Sequence, residues 1–289
     1  MSNRAGSAGK IKMSSFNDLF GGAADAEQVV DAKLEDLHTF KNHPFRVLDD
    51  EKMEETAESI GRYGVLVPGI ARSMESGGYE IIDGHRRKRG CELAGLSTMP
   101  VIVRNYTDDE ATIIMVDSNI QREDILPSEK AKAYAMKYEA VKHQGSRGGS
   151  SLGEVGEAAG ESAKTVQRYV WLARLNDSLL EMVDRKKIGF LQGVDISFLT
   201  EEEQQWVFTV LEETGITVTA SQSAKLKEHG KNGGLTLQMA RMILSEEKPK
   251  ERKVIIKGEK INRYFPDDYS SDDIEGIIIQ LLEEWQSRQ

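Results

Sequence analysis

The stretch IIDGHRRKRG, Ile81 to Gly90, decides the fold, because a strand pattern changes to a helix pattern at one glycine. Four consecutive cations, Arg86 to Arg89, follow Asp83-Gly84 in a chain whose formal net charge is -10. The first turn of a helix has unpaired N–H groups and a partial positive charge, so cations are unfavourable there unless an anion binds. The stretch therefore predicts a strand, a glycine that allows close approach, and a helix start that binds phosphate.

The cations of this helix are candidate phosphate ligands, since a guanidinium is planar and donates several hydrogen bonds. Arg86, Arg87 and Arg89 point in different directions on a helix, so two of them are expected to reach one phosphate group. The bland alternative is a solvated basic helix, which is common.

Strand and helix patterns alternate on both sides of this stretch. Thr107 followed by Glu110 has the spacing of a capping box. The predicted elements are a helix over 49–63, strands over 65–73, 79–83 and 98–106, and helices beginning at His85 and Thr107. Residues 31–125 are therefore expected to form a small mixed α/β domain.

A second polar stretch, SNIQRED at 118–124, lies at the end of the last of these helices. A divalent cation at a triphosphate needs oxygen ligands, and the Asn119 amide can offer one. The alternative is an ordinary polar helix C-terminus.

Past Pro127 the strand pattern disappears and helices continue to about residue 245. The segment SLGEVGEAAGESAKTVQRYVWLARL, 151–175, has the pattern of a helix-turn-helix, with Gly160 at the turn and Ser162 as the N-cap of the second helix. The apolar residues predicted to lock the two helices together are Val155, Ala159, Val166 and Val170.

The second helix of this pair is predicted to expose polar side chains that suit DNA. Gln can read an adenine edge, and Lys or Arg can reach guanine or phosphate. Residues 129–175 contain eight Lys or Arg against five Glu, although the whole chain is acidic. The candidate DNA-binding residues are Ser162, Ala163, Lys164, Thr165, Gln167 and Arg168. The alternative is a helical hairpin with no DNA role.

The two ends of the chain have simpler patterns. Residues 1–30 are rich in Gly, Ala and Ser, which predicts a flexible tail, and 245–253 read as a charged linker before the strand KVIIK. A helix beginning near Ser270 carries one apolar stripe, made of Ile274, Ile277, Ile278, Leu281, Leu282 and Trp285. Because the segment 250–289 is too small to cover this stripe, we expect it to pair with a second copy.

Composition excludes several classes of protein. The single cysteine, Cys91, rules out a disulfide framework, and the five scattered histidines predict no structural zinc. The N-terminus lacks the apolar core of a signal peptide, and no stretch is long and apolar enough to span a bilayer. We therefore expect a soluble cytoplasmic protein with no membrane partner.

Taken in order, these motifs resemble those of the ParB partition-protein family. Its GERR-type motif is matched at 84–89 and its ENxQR-type motif at 118–122, and REDILPSEKAKAY resembles the family's run into its DNA-binding domain. NHPFRV at 42–47 and SIGRYGVLVPGI at 59–70 resemble the segments that begin the nucleotide pocket and contact the base. The resemblance covers about 40–200.

The resemblance implies an α+β fold with a nucleotide-binding domain at 31–125, an all-α helix-turn-helix domain at 126–245 and a dimerisation segment at 250–289. It implies a homodimeric DNA clamp that uses CTP and Mg²⁺, binds a palindromic double-stranded site on a nucleoid or plasmid, and engages a ParA-type ATPase through the N-terminal tail. The implied phosphate-binding residues are Gly84, His85, Arg86, Arg87, Arg89 and Arg122. Arg46, Gly64 and Pro68 are implied on the nucleobase side, and Asn119 and Ser118 at the metal.

Two residues depart from the family pattern. His85 and Ser118 replace glutamates at positions where a metal or an attacking water needs an acid. We therefore predict that CTP is bound but hydrolysed slowly or not at all.

Two other functions remain open from the sequence. One is a helix-turn-helix transcriptional regulator that does not use a nucleotide. The other is an enzyme acting on a nucleotide phosphate, since the same α/β fold resembles sulfiredoxins and some small-molecule kinases. The position of Cys91 after the phosphate motif and the attached helix-turn-helix disfavour the enzyme.

Overall fold

The strand that precedes Gly84 lies inside a mixed sheet of five strands. In a computed structural model of the chain, the described residues are 29–122, 124–144, 151–246, 258–266 and 268–288. The strands are β1 (Val29–Lys33), β2 (Leu37–Thr39), β3 (Gly69–Ser73), β4 (Tyr79–Asp83) and β5 (Thr98–Val103). Their order across the sheet is β1-β5-β3-β4-β2, which puts the antiparallel pair β3 and β4 next to each other inside the sheet.

The strand β4 is covered on both faces, which fixes the position of the glycine that follows it. Ile81 and Ile82 point to opposite faces and are both fully buried. Glu80 is also buried, and its carboxylate accepts a hydrogen bond from Arg72 Nε at 2.7 Å and one from the Lys41 N–H at 3.0 Å. A buried charge needs such partners, so these bonds hold β4 near its first residues.

Three helices complete this part of the chain: α1 (Glu51–Tyr63), α2 (His85–Leu93) and α3 (Asp108–Asn119). The Asp50 side chain caps α1 by accepting from the Met53 N–H at 2.9 Å. The predicted capping box of Thr107 and Glu110 is present at the start of α3. The helix α2 begins at His85 as predicted, α3 begins one residue after the predicted cap Thr107, and α1 begins two residues later than predicted.

From Pro127 to Ser245 the described residues are helical, as predicted. The helices are α4 (Pro127–Gln144), α5 (Ser151–Glu157), α6 (Ala163–Leu172), α7 (Asp177–Asp184), α8 (Phe190–Ile196), α9 (Glu201–Thr214), α10 (Ala220–Lys231) and α11 (Leu237–Ser245). From α6 onward they share one apolar core, which includes the fully buried residues Leu172, Leu179 and Ile196.

A second apolar core crosses the domain boundary that the sequence suggests at residue 125. It joins Phe40, Phe45 and Ile82 of the α/β part to Tyr134 of α4 and Val166 of α6. The change from strands to helices near residue 125 is therefore a change of secondary structure within one packed body. We keep 31–125 and 126–245 as proposed functional domains.

The described residues form two compact units, divided between Ser245 and Glu246. The second contains α12 (Gly258–Ile261) and α13 (Ser271–Ser287), and Ser270 caps α13 as predicted. None of the residues of α13 is buried, and Leu281, Leu282 and Trp285 are 57%, 57% and 60% exposed. The predicted strand KVIIK at 253–257 and nearly all of the predicted tail lie outside the described residues. No helix among the described residues is long and apolar enough to cross a membrane.

The strands differ from the sequence-based expectation at several points. The strand β1 begins at Val29, inside the segment assigned to the tail, and β2 was not anticipated. Each lies at an edge of the sheet, and each pairs with a strand that comes much later in the chain. The strand predicted from residue 65 begins only at Gly69, because the carbonyls of Val67 and Pro68 accept hydrogen bonds from the Arg87 side chain.

Candidate functional site

The turn from β4 into α2 requires Gly84. This residue has φ 115°, in the left-handed region, and a Cβ there would lie 3.2 Å from the Gly69 Cα. Gly84 is the N-cap of α2 and provides no side-chain acceptor for the helix start. The first N–H groups of α2 therefore remain available to a ligand.

Three of the predicted ligands, distant in sequence, line one cleft. Arg46, Arg86 and Arg122 surround a cavity of about 430 Å³ together with Lys52. Within the part of the chain that the structure describes, the guanidinium groups of Arg46 and Arg86 have only long ion pairs, 3.6 Å to Asp184 and 3.8 Å to Asp50. Among the described residues the Arg122 guanidinium has no hydrogen bond or ion pair. The remaining lining residues are Leu48, Asp50, Asp124, Leu126 and Glu129.

The carboxylates that line this cleft already have partners. Asp50 caps α1, Asp124 pairs with Lys52 at 2.5 Å, and Glu129 accepts from the Arg46 and Leu126 N–H groups at 2.8 and 3.0 Å. The arginines are thus the groups with hydrogen-bonding capacity left over. A cleft with spare guanidinium donors suits an anion with several oxygens.

Arg87 and Arg89 have other partners. The Arg87 guanidinium donates to the carbonyls of Val67 and Pro68, at 2.8 and 2.5 Å, and pairs with Asp83. Arg89 pairs with Asp49 at 2.6 Å and with Glu92 at 3.0 Å. Of the three arginines predicted at the start of α2, only Arg86 lines the cleft.

The predicted nucleobase side divides in the same way. Arg46 lines the cleft, whereas Gly64 and Pro68 belong to the loop between α1 and β3 and are not among its lining residues. The Arg87 side chain holds this loop by donating to the carbonyls of Val67 and Pro68. Leu66 and Val67 on the loop are 76% and 67% exposed.

His85 lies against His43, with ring centroids 3.8 Å apart. Its Nε2 accepts the Phe40 N–H at 3.3 Å, and the His43 Nδ1 donates to the Phe45 carbonyl at 2.8 Å. Burial lowers the pKa of His85 to about 3, and the nearby His43 and Lys88 act in the same direction. His85 is therefore a neutral acceptor at a position where the family has a charged carboxylate.

This neutral ring predicts an acid-sensitive fold. Between pH 6.5 and about 3 the unfolded chain binds a proton that folded His85 does not, so stability present above pH 6.5 is lost as the pH falls. We expect the free energy of unfolding to fall by about 2 kcal/mol more, between about pH 7 and pH 5, in the wild type than in a His85→Gln variant. Urea denaturation at the two pH values measures this difference. The exposed His38→Gln variant is the control, and equal pH slopes for wild type and His85→Gln would contradict the prediction.

The predicted metal ligands are adjacent and bonded to each other. Ser118 Oγ donates to the Met115 carbonyl at 3.0 Å and accepts from Asn119 Nδ2 at 3.1 Å. Asn119 Nδ2 also donates to Met115, which leaves the amide oxygen of Asn119 as the free ligand. The described residues contain no group of three or more His, Cys, Asp or Glu side chains that could hold a metal ion. These residues thus fit a metal whose other ligands are phosphate and water.

The predicted helix pair is formed by α5 and α6. Ser162 caps α6 through the Thr165 N–H at 3.2 Å, Gly160 has φ 66° in the turn, and Val155 and Val166 are buried. Ala159 lies in the turn, beyond the end of α5 at Glu157, and not on the inner face of a helix as predicted. Of the five candidates within α6, only Lys164 is exposed, because Ala163, Thr165, Gln167 and Arg168 are half-buried.

Gly156 is the small residue at the crossing of the two helices, and the sequence analysis missed it. A Cβ at Gly156 would lie 2.4 Å from the Glu161 carbonyl oxygen and 2.9 Å from Val166 Cγ2. On the same helix, Gly153 has nothing within 4 Å of a Cβ.

These two glycines provide a matched pair of substitutions. Gly156→Ala is expected to lower the free energy of unfolding by about 2–3 kcal/mol through overpacking. Gly153→Ala is expected to raise it by about 0.5–1 kcal/mol, since alanine is the better helix former. Urea denaturation checks both values, and destabilisation by both substitutions would mean that α5 rejects alanine for a reason other than the crossing.

The unpaired cations of this region share one face of α6 and the residues just after it. Lys130, Lys132, Lys137 and Lys142 all pair with carboxylates. Within the described residues, Lys164, Arg168 and Arg174 have no such partner. With Gln167 and Trp171 between them, these cations recur every three or four residues and therefore share one side of the helix. This periodicity is the sequence signal that would have added Trp171 and Arg174 to the predicted DNA-binding residues.

Comparison with known proteins identifies the chain. Residues 21–120 match the family model of the ParB N-terminal domain. The probable chromosome 1-partitioning protein ParB of Deinococcus radiodurans is 30% identical over 213 residues, which are 73% of this chain and 70% of that protein. The chain belongs to the ParB family.

Solved structures of ParB proteins resemble the chain over much of its length. A C-terminally truncated ParB from Caulobacter crescentus, complexed to the centromeric parS site, covers 70% of this chain and 99% of its own, at 22% identity and a TM-score of 0.42. The same protein complexed with CTP-γ-S covers 60% and 94%, at 25% identity and a TM-score of 0.31.

Proposed function

We propose that this ParB-family protein is a CTP-dependent DNA clamp that acts in the partition of a chromosome, plasmid or mobile element. The observation that carries the proposal is the cleft in which Arg46, Arg86 and Arg122 meet. It lies in the same unit as a helix pair whose outer face carries unpaired cations. An anion site and a DNA-binding surface in one body are the two parts that such a clamp needs.

The cleft offers several cations to a nucleoside triphosphate. Four cations and three carboxylates line it, so its formal net charge is +1. The acids beside them cap helices or pair with lysine, so the arginines are free to bind phosphate oxygens. The choice of cytosine over other bases comes from the family resemblance.

Magnesium is proposed to bind beside the cleft, through Asn119 and the nucleotide itself, although neither Asn119 nor Ser118 is among the residues that line the cleft. Mg²⁺ commonly keeps several waters and binds one or two protein oxygens together with substrate phosphates. The Asn119 amide oxygen is the ligand this chain would supply, with Ser118 beside it. The ion would neutralise phosphate charge.

Hydrolysis is proposed to be weak. His85 is neutral and its Nε2 already accepts the Phe40 N–H, so it cannot replace a carboxylate that activates water. Phosphate release that depends on both CTP and DNA, and that continues over many turnovers, would contradict this part of the proposal.

The DNA site is proposed to be double-stranded and palindromic, bound by a homodimer. Ser162 to Arg168 would enter the major groove, and Arg174 would contact the backbone. The exposed apolar face of α13 supports pairing with a second copy. Sedimentation of a chain truncated near residue 250 tests this, since unchanged dimerisation would remove α13 from that role. The ParA-type partner of the tail and the association with a nucleoid or plasmid rest on the family alone.

Calorimetry tests the proposal. CTP, ATP, GTP and UTP with Mg²⁺ are titrated separately into the full chain, with and without duplex DNA. Selective binding of CTP is the expected result. If no nucleotide binds under either condition, the protein is better described as a nucleotide-independent helix-turn-helix regulator.

A further inference from the structure

Residues in the last turn of α3 and just after it contact both the cleft and the helix pair. Arg122 belongs to the phosphate side, because it lines the cleft, and its N–H donates to the Asn119 carbonyl at 3.1 Å. Asp117 and Gln121, on the same short segment, bond to the helix pair or to the lysine that supports it. The segment 117–122 thus joins the two candidate sites.

The Gln121 contact is specific. Its Nε2 donates to the Ala158 carbonyl at 2.7 Å, and Ala158 is the first residue of the turn between α5 and α6. The turn itself is closed by the Glu161 N–H, which donates to the Gly156 carbonyl at 3.0 Å. A displacement of Gln121 would therefore act on the segment that orients α6.

A buried charge supports the same connection. Lys137 of α4 is only 3% exposed, pairs with Asp117, and donates to the Val155 carbonyl of α5 at 3.3 Å. Lys130 of α4 pairs with Glu161 in the turn. Removing the Lys137 ammonium from water is costly, so its partners Asp117 and Val155 are held in fixed positions. The helices α3, α4 and α5 meet at Lys137.

We propose that Asp117, Gln121 and Lys137, here called the turn link, couple nucleotide occupancy of the cleft to the orientation of α6. Phosphate binding by Arg122 shifts the end of α3, and Gln121 transmits that shift to Ala158. Gln121 is a positioning residue in this proposal and touches neither ligand. The inference rests on the proposed function, since it needs both a nucleotide site and a DNA site.

The test measures a coupling factor, the ratio of the CTP dissociation constants without and with DNA. The probes are CTP with Mg²⁺ and a 30-base-pair duplex selected from a random library on the wild-type protein. For the wild type we expect the two dissociation constants to differ by at least about tenfold. For Gln121→Ala we expect them to differ by less than about threefold. The variant should keep CTP affinity without DNA, and DNA affinity without CTP, within about threefold of wild type, because Gln121 is exposed. Gln205→Ala, an exposed amide on α9, is the matched control and should keep the wild-type factor.

The other outcomes are distinct. If Gln121→Ala keeps the wild-type coupling factor, the turn link is overturned and the proposed function is intact. The same conclusion follows if the variant binds CTP alone or DNA alone more weakly but keeps the wild-type coupling factor. A wild-type factor of one overturns the turn link although both ligands bind. If the wild type binds no CTP, the proposed function fails and the inference fails with it. Gln121→Glu, which lacks the donor, should repeat the result of Gln121→Ala.

Discussion

An Arg122→Ala variant is expected to bind CTP about 100-fold more weakly than the wild type. Arg122 lines the proposed phosphate-binding cleft and has no ion-pair partner among the described residues, so its guanidinium donors are available to a ligand. Charge-assisted hydrogen bonds are worth roughly 1.5–3 kcal/mol each, and 1.4 kcal/mol is a factor of ten in the dissociation constant. Calorimetric titration with CTP and Mg²⁺ measures the change.

Arg62→Ala is the control for this experiment. Arg62 is an exposed arginine on α1 whose ion pair with Glu58 is long, at 3.9 Å, and it is not among the residues that line the cleft. Removing it changes the net charge by the same amount and should leave the CTP dissociation constant within about twofold of wild type. Equal weakening in the two variants would mean that net charge, and not the cleft, governs affinity.

The double variant Lys164→Ala, Arg168→Ala is expected to bind DNA about 30- to 100-fold more weakly at a fixed salt concentration. The two cations lie one turn apart on α6 and have no carboxylate partner among the described residues. For each DNA phosphate that the variant no longer neutralises, the slope of log K against log salt should become shallower by about 0.9. Fluorescence anisotropy with a labelled duplex, repeated over a range of salt concentrations, gives both quantities.

A second double variant carries the same change of charge. Lys132→Ala, Arg185→Ala removes one lysine and one arginine whose charges are paired with Asp177 and Glu181. Its DNA affinity and salt slope should stay close to those of the wild type. The assignment of α6 to the DNA interface fails if the two double variants weaken DNA binding equally.

Local sequence signals predicted the elements of this fold well. Gly84 before α2, the capping box at Thr107 and the N-cap at Ser162 each act within four residues, so the sequence contains the whole interaction. The strand β1 was missed because its partner β5 comes about seventy residues later. Periodicity within a segment does not reveal such a pairing.

The site was less accessible to sequence reasoning. The sequence grouped Arg86, Arg87 and Arg89 as phosphate ligands because they share a helix start. Their tertiary partners separate them, since Arg87 bonds to backbone carbonyls about twenty residues earlier and Arg89 bonds to Asp49. Arg46 and Arg122 reach the same cleft as Arg86 only through the packing of the chain. Side chains that bond to the backbone of a distant loop leave no pattern in the sequence.

The apolar core shared across residue 125 limits how proteins of this architecture can exchange parts during evolution. Phe40, Phe45 and Ile82 pack against the same residues that support α6. A recombination event that replaced only the helical half with that of a distant relative would pair two surfaces that had not changed together. With α6 as the proposed DNA-reading helix, new DNA specificity is therefore expected to arise more easily by point substitution on its outer face than by exchange of the whole segment.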